Sequence, residues 1–415
     1  MAIIEYVLNR LIKKGTLSIV RTDGSTLEFG GGPGSEVTMR LHDKNLLSKL
    51  AQDFTLHLGE AYMDGRFTID PPCNLYDLME LFAVNYHEAP IMPWDFISEL
   101  ISPITRHIQQ TNSRASSRRN VAHHYDISAD FFKLILDKDM QYSCAYFKDP
   151  SNDLDTAQLD KRRLIASKLL LKPGMKVLDI GCGYGGLAIY LAKTFGVEVT
   201  GITLSEEQFA VAKARARQEG LSHKVNFRIQ DYREEKGQYD RIVSVGMFEH
   251  VGPQHYREFF KRMKSLLTKD GVALLHYIGR MDIPGEGDNW ILKYIFPGGY
   301  VPAFSEVMPK IEKSGLWVTD IEILRMHYAY TLMAWRANFE RNRDIILKMY
   351  DERFCRMWEY FLIGAEFQFR YGRMVIFQLQ ITRDLDAVPL TRDYMFEAQK
   401  ATEKTITPPV PLEVH

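Results

Sequence analysis

Three absences narrow this sequence before any motif is read. Cysteine is scarce: four residues in 415, Cys73, Cys144, Cys182 and Cys355, with no CxxC pair and no metal-ligand spacing. That argues against a disulfide framework or a zinc ribbon, and reduced thiols in a cytoplasmic setting are the simple expectation. Long apolar runs are missing as well. No uncharged stretch reaches the roughly 18 residues of a membrane span, so any work at a membrane is expected from its surface. Charge of one sign is not in excess: 52 Lys and Arg against 53 Asp and Glu leave a formal net charge of -1. No global field therefore draws nucleic acid. The opening "MAIIEYVLNRLIKKG" has charges through it and no small-residue cleavage site, so no secretory signal is expected there.

What is present is ordinary globular composition, 46% hydrophobic and 25% charged, in a chain long enough for two or three domains. Ile3, Ile4, Val7, Leu8, Leu11 and Ile12 share one helical face that Gly15 ends. It reads as a helix docked on its own domain or one lying on a membrane surface. "TLSIV" and "STLEF" around Asp23-Gly24 read as a hairpin, "EVTMRL" as a third strand, "KNLLSKLAQDFTLHLGEAYM" as helical, and "GRFTI" follows. Residues 1–105 thus read as a small α+β domain with no evident catalytic constellation. Residues 106–120, "RHIQQTNSRASSRRN", hold four arginines and no acid. They read as a linker, either a solvated tether or a basic strap for anionic phospholipid.

From 121 to 390 strand-like and helix-like segments alternate, which predicts an α/β fold with a parallel sheet covered on both faces. The strands are "KVLDI", "EVTGIT", "KVNFRIQD", "YDRIVSV", "GVALLHYIG" and, after long helices beyond residue 330, "RYGRMVIFQLQIT". Residues 391–415 read as a C-terminal tail, its end frayed by prolines. "DNWILKYIFPGGYVPAF" (288–304) interrupts the rhythm and reads as a lid, a tunnel wall or a packed insertion.

The stretch "VLDIGCGYGG" (177–186) is a buried strand breaking into glycines. Gly181, Gly183 and Gly186 match the dinucleotide fingerprint literally. A dinucleotide also needs an acid about 20 residues on to hold a ribose, yet Thr203 and Ser205 stand there. Asp179 at the strand end would repel a pyrophosphate. It suits a cationic ligand without phosphates, such as S-adenosylmethionine with its ammonium and sulfonium.

These residues resemble class I methyltransferases. "HHYDISADFFKLILDKDMQYSCAYF", "GITLSEEQ", "VSVGMFEHVG", "LLHYIGR", "IFPGGY" and "HYAYTLMAW" resemble, in this order, the cyclopropane-fatty-acyl-phospholipid synthase family over roughly residues 120 to 385. "GEAYMDGRF" is similar to the extra domain of its phospholipid-acting members, whereas the related mycolic-acid enzymes resemble the catalytic domain alone. The resemblance implies a Rossmann-like fold with a mostly parallel seven-stranded sheet. It implies methylene transfer from S-adenosylmethionine to a cis double bond of phospholipid acyl chains, through a carbocation deprotonated by bound bicarbonate. By the same matching, Cys144, Glu249, His276, the backbone of Ile278 and Tyr328 would hold that anion. Tyr142, Ser143, Asp179, Gly181, Gly183, Thr203, Leu204, Gln208, Asp231 and Tyr232 would line the cofactor site. A bicarbonate beside Glu249 requires a shared proton. No metal is implied; His123 and His124 are adjacent and face different sides of a helix, while His250 and His255 read as surface or capping residues. The expected partners are a phospholipid bilayer, bound peripherally on its cytoplasmic face, and a second copy in a homodimer; no nucleic acid is expected. The rival readings are methylation without ring closure, a small-molecule amine methyltransferase, a non-catalytic lipid or S-adenosylmethionine binder and, last, an NAD-dependent oxidoreductase.

Overall fold

A computed structural model describes residues 2–86, 127–285 and 287–405. The 106–120 linker, His123, His124 and the proline-bearing segment 406–415 lie outside the described residues. The N-terminal unit begins with α1 (Ala2–Leu11), followed by β1 (Thr16–Val20), β2 (Thr26–Gly30) and β3 (Glu36–Leu41). Next come α2 (Leu46–Leu50), α3 (Phe54–Met63), β4 (Phe67–Ile69) and α4 (Leu75–Tyr86). The hairpin forms where Asp23 turns the chain: its carboxylate accepts from the Ser25 amide at 2.9 Å, and Val20 pairs with Thr26. β3 adds parallel to β1 and antiparallel to β4, giving the order β2-β1-β3-β4. Leu17, Ile19, Val37, Met39 and Leu41 alternate onto one buried face, as the two-residue period of a strand requires. Ile4, Leu8 and Ile12 of the first helical stretch are buried in the same core, so this helix docks on its own domain. The helical segment read over 44–63 is two helices. Asp53 caps the second by accepting from the Leu56 amide at 3.1 Å.

The second unit runs α5 (Ala129–Ile135), α6 (Leu154–Leu169), β5 (Lys176–Ile180), α7 (Gly186–Phe195), β6 (Glu198–Thr203), α8 (Glu206–Gln218), β7 (Val225–Ile229) and β8 (Tyr239–Val245). It continues with α9 (Tyr256–Leu266), β9 (Leu267–Arg280), α10 (Asn289–Tyr294), α11 (Phe304–Glu312) and β10 (Trp317–Leu324). It ends with α12 (His327–Arg341), α13 (Arg343–Met349), α14 (Glu352–Arg370), β11 (Met374–Thr382) and α15 (Asp393–Thr405). Seven strands form one sheet in the order β10-β11-β9-β8-β5-β6-β7. β5 through β9 pair parallel, and β11 runs antiparallel to both β9 and β10. One face packs residues of α6, α7 and α8 and the other residues of α9 and α11. Central strands covered on both faces read as near-continuous apolar runs, as Val177, Leu178 and Ile180 do.

Two features differ from the sequence reading, and at a third, the 288–304 insertion, the structure favours one of the alternatives. β10 was not among the strands read, because an edge strand carries little apolar signal: Trp317, Ile321 and Ile323 are exposed while Asp320 and Glu322 make ion pairs. The segment expected as a tail at 391–415 starts with α15, which packs on α6 and buries Met395. The 288–304 insertion is packed at its start. Trp290 is buried between Tyr360 and α3, where a Cβ on Gly59 would lie 2.4 Å from the indole nitrogen. Around it Asn289 donates to Asp53 and Lys293 to Glu60. Tyr62 and Tyr76 reach across from the first unit to Glu359 and Glu366 on α14. One hydrophobic core therefore runs through both units.

The strand order turns at β5, which is flanked by β6 on one side and β8 on the other. Ligands of open α/β sheets bind at such a switch point, beyond the carboxyl ends of the strands. Gly185, the residue before α7, has φ +81°, and a Cβ there would lie 2.6 Å from the Phe227 ring and 2.9 Å from Ala212. Gly185→Ala is expected to cost about 2–4 kcal/mol, from a left-handed backbone plus overpacking. A fall in melting temperature of several degrees checks it.

Candidate active site

A cavity opens at the carboxyl ends of β5, β6, β7 and β8. It is lined by all ten residues expected at the cofactor: Tyr142, Ser143, Asp179, Gly181, Gly183, Thr203, Leu204, Gln208, Asp231 and Tyr232. The floor is the strand-to-helix turn. Gly181 and Cys182 donate their amides to the Ile202 carbonyl at 2.9 and 3.0 Å, which ties β5 to β6 at the turn. Gly181 has φ +82° and lies against Met247, where a Cβ would come within 2.8 Å. A side chain here would be strained and would crowd the cavity wall.

Each wall is held by polar contacts. Thr203 donates to Gln208 at 2.9 Å. Asp231 is gripped by Arg233 through Nε and Nη2 at 2.9 and 2.6 Å, a fork the sequence reading did not include. Tyr142 stacks on Trp335 with ring centroids 5.1 Å apart. The loop carrying Tyr142 and Ser143 is pinned from α6. Gln158 donates to the Ser143 carbonyl at 2.9 Å, and Lys161 donates to the Ser143 hydroxyl and to the Gln141 amide oxygen at 2.8 and 2.9 Å.

Lys161 is fully buried, and burial lowers its pKa to about 7. Asp179 is its counterpart: burial raises it to about 7, opposed by Lys161. The Oδ2 atom of Asp179 has no hydrogen-bond partner among the described residues. A buried carboxylate oxygen left open on a cavity wall is a costly arrangement unless a donor arrives with the ligand. An ammonium fits it, and a pyrophosphate does not.

That gives a pH prediction. A bound cation stabilises the Asp179 carboxylate, so at low pH binding must release its proton. Affinity for S-adenosylmethionine is expected to be level above the free-protein pKa of about 7. It should weaken below it, by up to about tenfold per pH unit. Calorimetry across pH 5.5–8.5 checks this, and because Lys161 titrates in the same range, the Asp179→Asn variant isolates the carboxylate.

Of the residues expected at an anion, Glu249, His276 and Ile278 lie where the adjoining strands β8 and β9 end beside this cavity, whereas Cys144 is in a loop and Tyr328 on α12. β8 and β9 pair parallel with Val245 opposite His276. The chain leaves β8 through Gly246, whose amide donates to the His276 carbonyl at 2.9 Å. Glu249 follows and turns back onto β9, where its Oε1 accepts from the Ile278 amide at 2.6 Å. The Ile278 amide thus orients Glu249, so any direct backbone contribution to an anion falls to its carbonyl. The other oxygen, Oε2, is buried without a partner among the described residues, and so is His276 Nε2. Burial lifts Glu249 to about 7, against the pull of the Ile278 amide. His276 is pushed well below its usual range by burial, then by Lys161 and Lys168, so it is a neutral imidazole.

Cys144 follows Ser143, is buried, and donates its thiol to the Ala145 carbonyl at 3.2 Å. Burial raises its pKa, so it is a thiol and not a thiolate. Tyr328 joins through rings: it meets Trp335 edge-on at 5.8 Å, and Trp335 stacks on Tyr142. His250, read as a surface or capping residue, instead lines the cavity, and burial lowers its pKa to about 4. The insertion reaches the site as well: Gly298 lines the cavity and the Tyr300 amide donates to the Glu249 carbonyl at 3.0 Å.

Sheet order, glycine turn and cavity define a class I methyltransferase fold, a conclusion that solved structures share. The mycolic acid cyclopropane synthase CmaA1, in complex with SAH and CTAB, matches with a TM-score of 0.60 and 34% identity, over 64% of this chain and 97% of that one. Coclaurine N-methyltransferase matches in fold with a TM-score of 0.65 at 22% identity, over 78% of this chain and 98% of that one. Residues 112–379 match the family model of mycolic acid cyclopropane synthetase, and residues 4–89 that of a domain of unknown function. The cyclopropane-fatty-acyl-phospholipid synthase of Escherichia coli K12 is 38% identical over 350 residues, 84% of this chain and 88% of the relative. A probable fatty acid methyltransferase of Pseudomonas putida is 34% identical over 382 residues, 89% and 94% of the two chains. The chain belongs to the cyclopropane synthase family of S-adenosylmethionine-dependent methyltransferases.

Proposed function

We propose that the protein converts cis double bonds in phospholipid acyl chains to cyclopropanes, with S-adenosylmethionine as one-carbon donor and bicarbonate as the base. The observation that carries this reading is the pair of unpartnered buried atoms, Glu249 Oε2 and His276 Nε2, on adjoining strand ends beside the cofactor cavity. Bound S-adenosylmethionine supplies an electrophilic methyl group. An isolated alkene has no proton to give up first, so no nucleophile needs activating. What the chain must supply is a dry site and one proton acceptor at the added carbon.

Glu249 suits that task. With a pKa of about 7 it shares a proton with a bicarbonate hydroxyl at little cost. Its Oε1 is held by Ile278, which leaves Oε2 for the anion. The neutral imidazole of His276 supplies a second contact, and family resemblance adds Cys144 and Tyr328 as further members of the set. Asp179 and the Ser143–Lys161 pair take the ammonium and carboxylate of the donor's amino-acid end, and the Tyr142 ring faces its sulfonium.

The first domain and the 106–120 segment would dock the enzyme peripherally on the cytoplasmic face of a bilayer or join two copies. Relatives that match this chain beyond the catalytic part support a role for that domain. Among the described residues no helix is long and apolar enough to cross a membrane. A second reading keeps methyl transfer and omits ring closure. It is favoured by the Pseudomonas relative and by a tuberculostearic acid methyltransferase of Mycobacterium tuberculosis, 32% identical over 91% of this chain and 91% of its own.

The test is incubation with labelled S-adenosylmethionine and vesicles of a cis-monounsaturated phospholipid, followed by mass spectrometry of the acyl methyl esters. Ring closure gives a product that gains one carbon and takes up no hydrogen under mild hydrogenation. An exo-methylene product would take up hydrogen, and a saturated methyl branch would be told apart by its fragmentation. Either would move the assignment to the second reading.

A further inference from the structure

Glu322 on β10, Gln378 on β11 and His276 on β9 stand directly opposite one another across three strands. Lys168 of α6 closes this row from one face of the sheet. Its ammonium, fully buried, donates to Glu322 Oε2 and to Gln378 Oε1, the latter at 2.7 Å. Gln378 Nε2 then lies 3.0 Å from His276 Nδ1, and Gln378 is itself fully buried.

Hydrogen-bond inventory settles the direction. An ammonium has donors only, so the Gln378 oxygen must face Lys168. A flipped amide would set two donors against each other in a buried site. The Gln378 nitrogen therefore faces the histidine, and an amide NH2 can only donate. Nδ1 must accept, and the single proton of the neutral imidazole must sit on Nε2.

We infer that Gln378, oriented by Lys168 and Glu322, locks His276 as the Nε2–H tautomer, making it a hydrogen-bond donor toward the reaction site and not a proton acceptor. Gln378 is a positioning residue and acts through His276. The atom that carries the proton is the same Nε2 that lacks a partner among the described residues. A fixed N–H donor there selects a ligand with an oxygen lone pair, as an oxyanion has. It also keeps the imidazole from competing for the proton released at ring closure, which leaves on the anion. The role at the anion rests on the proposed function; the tautomer does not.

The test is long-range 15N–1H correlation NMR of the full chain carrying 15N-labelled histidine, recorded with and without bicarbonate. The wild-type protein is expected to show His276 as the Nε2–H tautomer. Gln378→Glu assigns the signal, because its carboxylate keeps the bond to Lys168 but accepts from Nδ1, moving the proton to Nδ1 or adding a second one. Lys168→Met, which frees the amide to rotate, is expected to give a mixture. In the Gln378→Glu protein kcat should fall about 10- to 100-fold with KM for S-adenosylmethionine unchanged. An Nδ1–H tautomer or an imidazolium in the wild-type protein at neutral pH overturns the inference. An Nε2–H signal that bicarbonate does not move supports the tautomer and removes the anion from the proposed function.

Discussion

Turnover by the Glu249→Gln protein is expected to fall by about 10²- to 10⁴-fold, with S-adenosylmethionine affinity within about twofold of wild type. The substitution is chosen because it preserves shape. A glutamine oxygen still accepts from the Ile278 amide, the bond that holds this side chain on β9. What disappears is the second carboxylate oxygen, Oε2, which is buried without a partner among the described residues. An amide cannot share a proton with a bicarbonate hydroxyl, so it would not orient the proposed base. Glu249 is not among the residues lining the cofactor cavity, which is why binding should survive.

Stability gives an independent readout of the same residue. The folded-state pKa of Glu249 is raised to about 7 from an ordinary 4.5, so the fold disfavours its charged form. Its contribution to stability is greatest below pH 4.5 and declines as pH rises to about 7. The glutamine variant lacks that decline. Its melting temperature at pH 8 should therefore not fall below that of the wild type, while its activity collapses. Loss of activity accompanied by loss of fold would mean that Glu249 is a structural residue.

The second large effect concerns the donor. Asp179→Asn is expected to weaken S-adenosylmethionine binding about 10- to 100-fold at pH 8, the worth of one charge-assisted hydrogen bond in a buried site. It should also abolish the carboxylate's share of the pH dependence of binding. Asp179 is fully buried on β5, its Oδ2 atom is without a partner among the described residues, and the Lys161 ammonium acts on it. The asparagine keeps the size and can still accept a hydrogen bond from an ammonium, but it offers no charge. Unchanged affinity would mean that the donor's amino-acid end lies elsewhere. Calorimetry on both proteins decides it.

How much of this was legible in the sequence follows from how each residue announces itself. β5, β6, β8 and β9 are apolar runs, and β5 breaks into glycines, so the switch point and the cavity floor could be placed from the letters. The cofactor wall was readable because its residues fall in contiguous short motifs, "QYSC" in a loop and "GITLSEEQ" and "QDY" at strand ends. Residues that work from behind gave no such sign. "LDTAQLDKRRLIASK" is so rich in charge that it reads as a solvated helix, yet Gln158, Lys161 and Lys168 are buried in it. A lysine is rarely buried unless it is paired, and the partners here, Ser143 and Glu322 among them, come from distant parts of the chain. Gln378 lies inside the strand "MVIFQLQIT", where a polar residue signals an outward face. In fact it faces Lys168 and His276. The edge strand β10 was missed for the opposite reason, since its apolar residues face outward.

The central claim, a bicarbonate held as base by Glu249 and His276, is tested most directly by bicarbonate depletion. Methylene transfer into unsaturated phospholipid vesicles would be measured in buffer stripped of carbon dioxide and then with bicarbonate added back. Turnover is expected to fall on depletion and recover on addition in the wild-type protein, with no recovery in Glu249→Gln. Full turnover in stripped buffer, at the same rate as with bicarbonate, would contradict the claim.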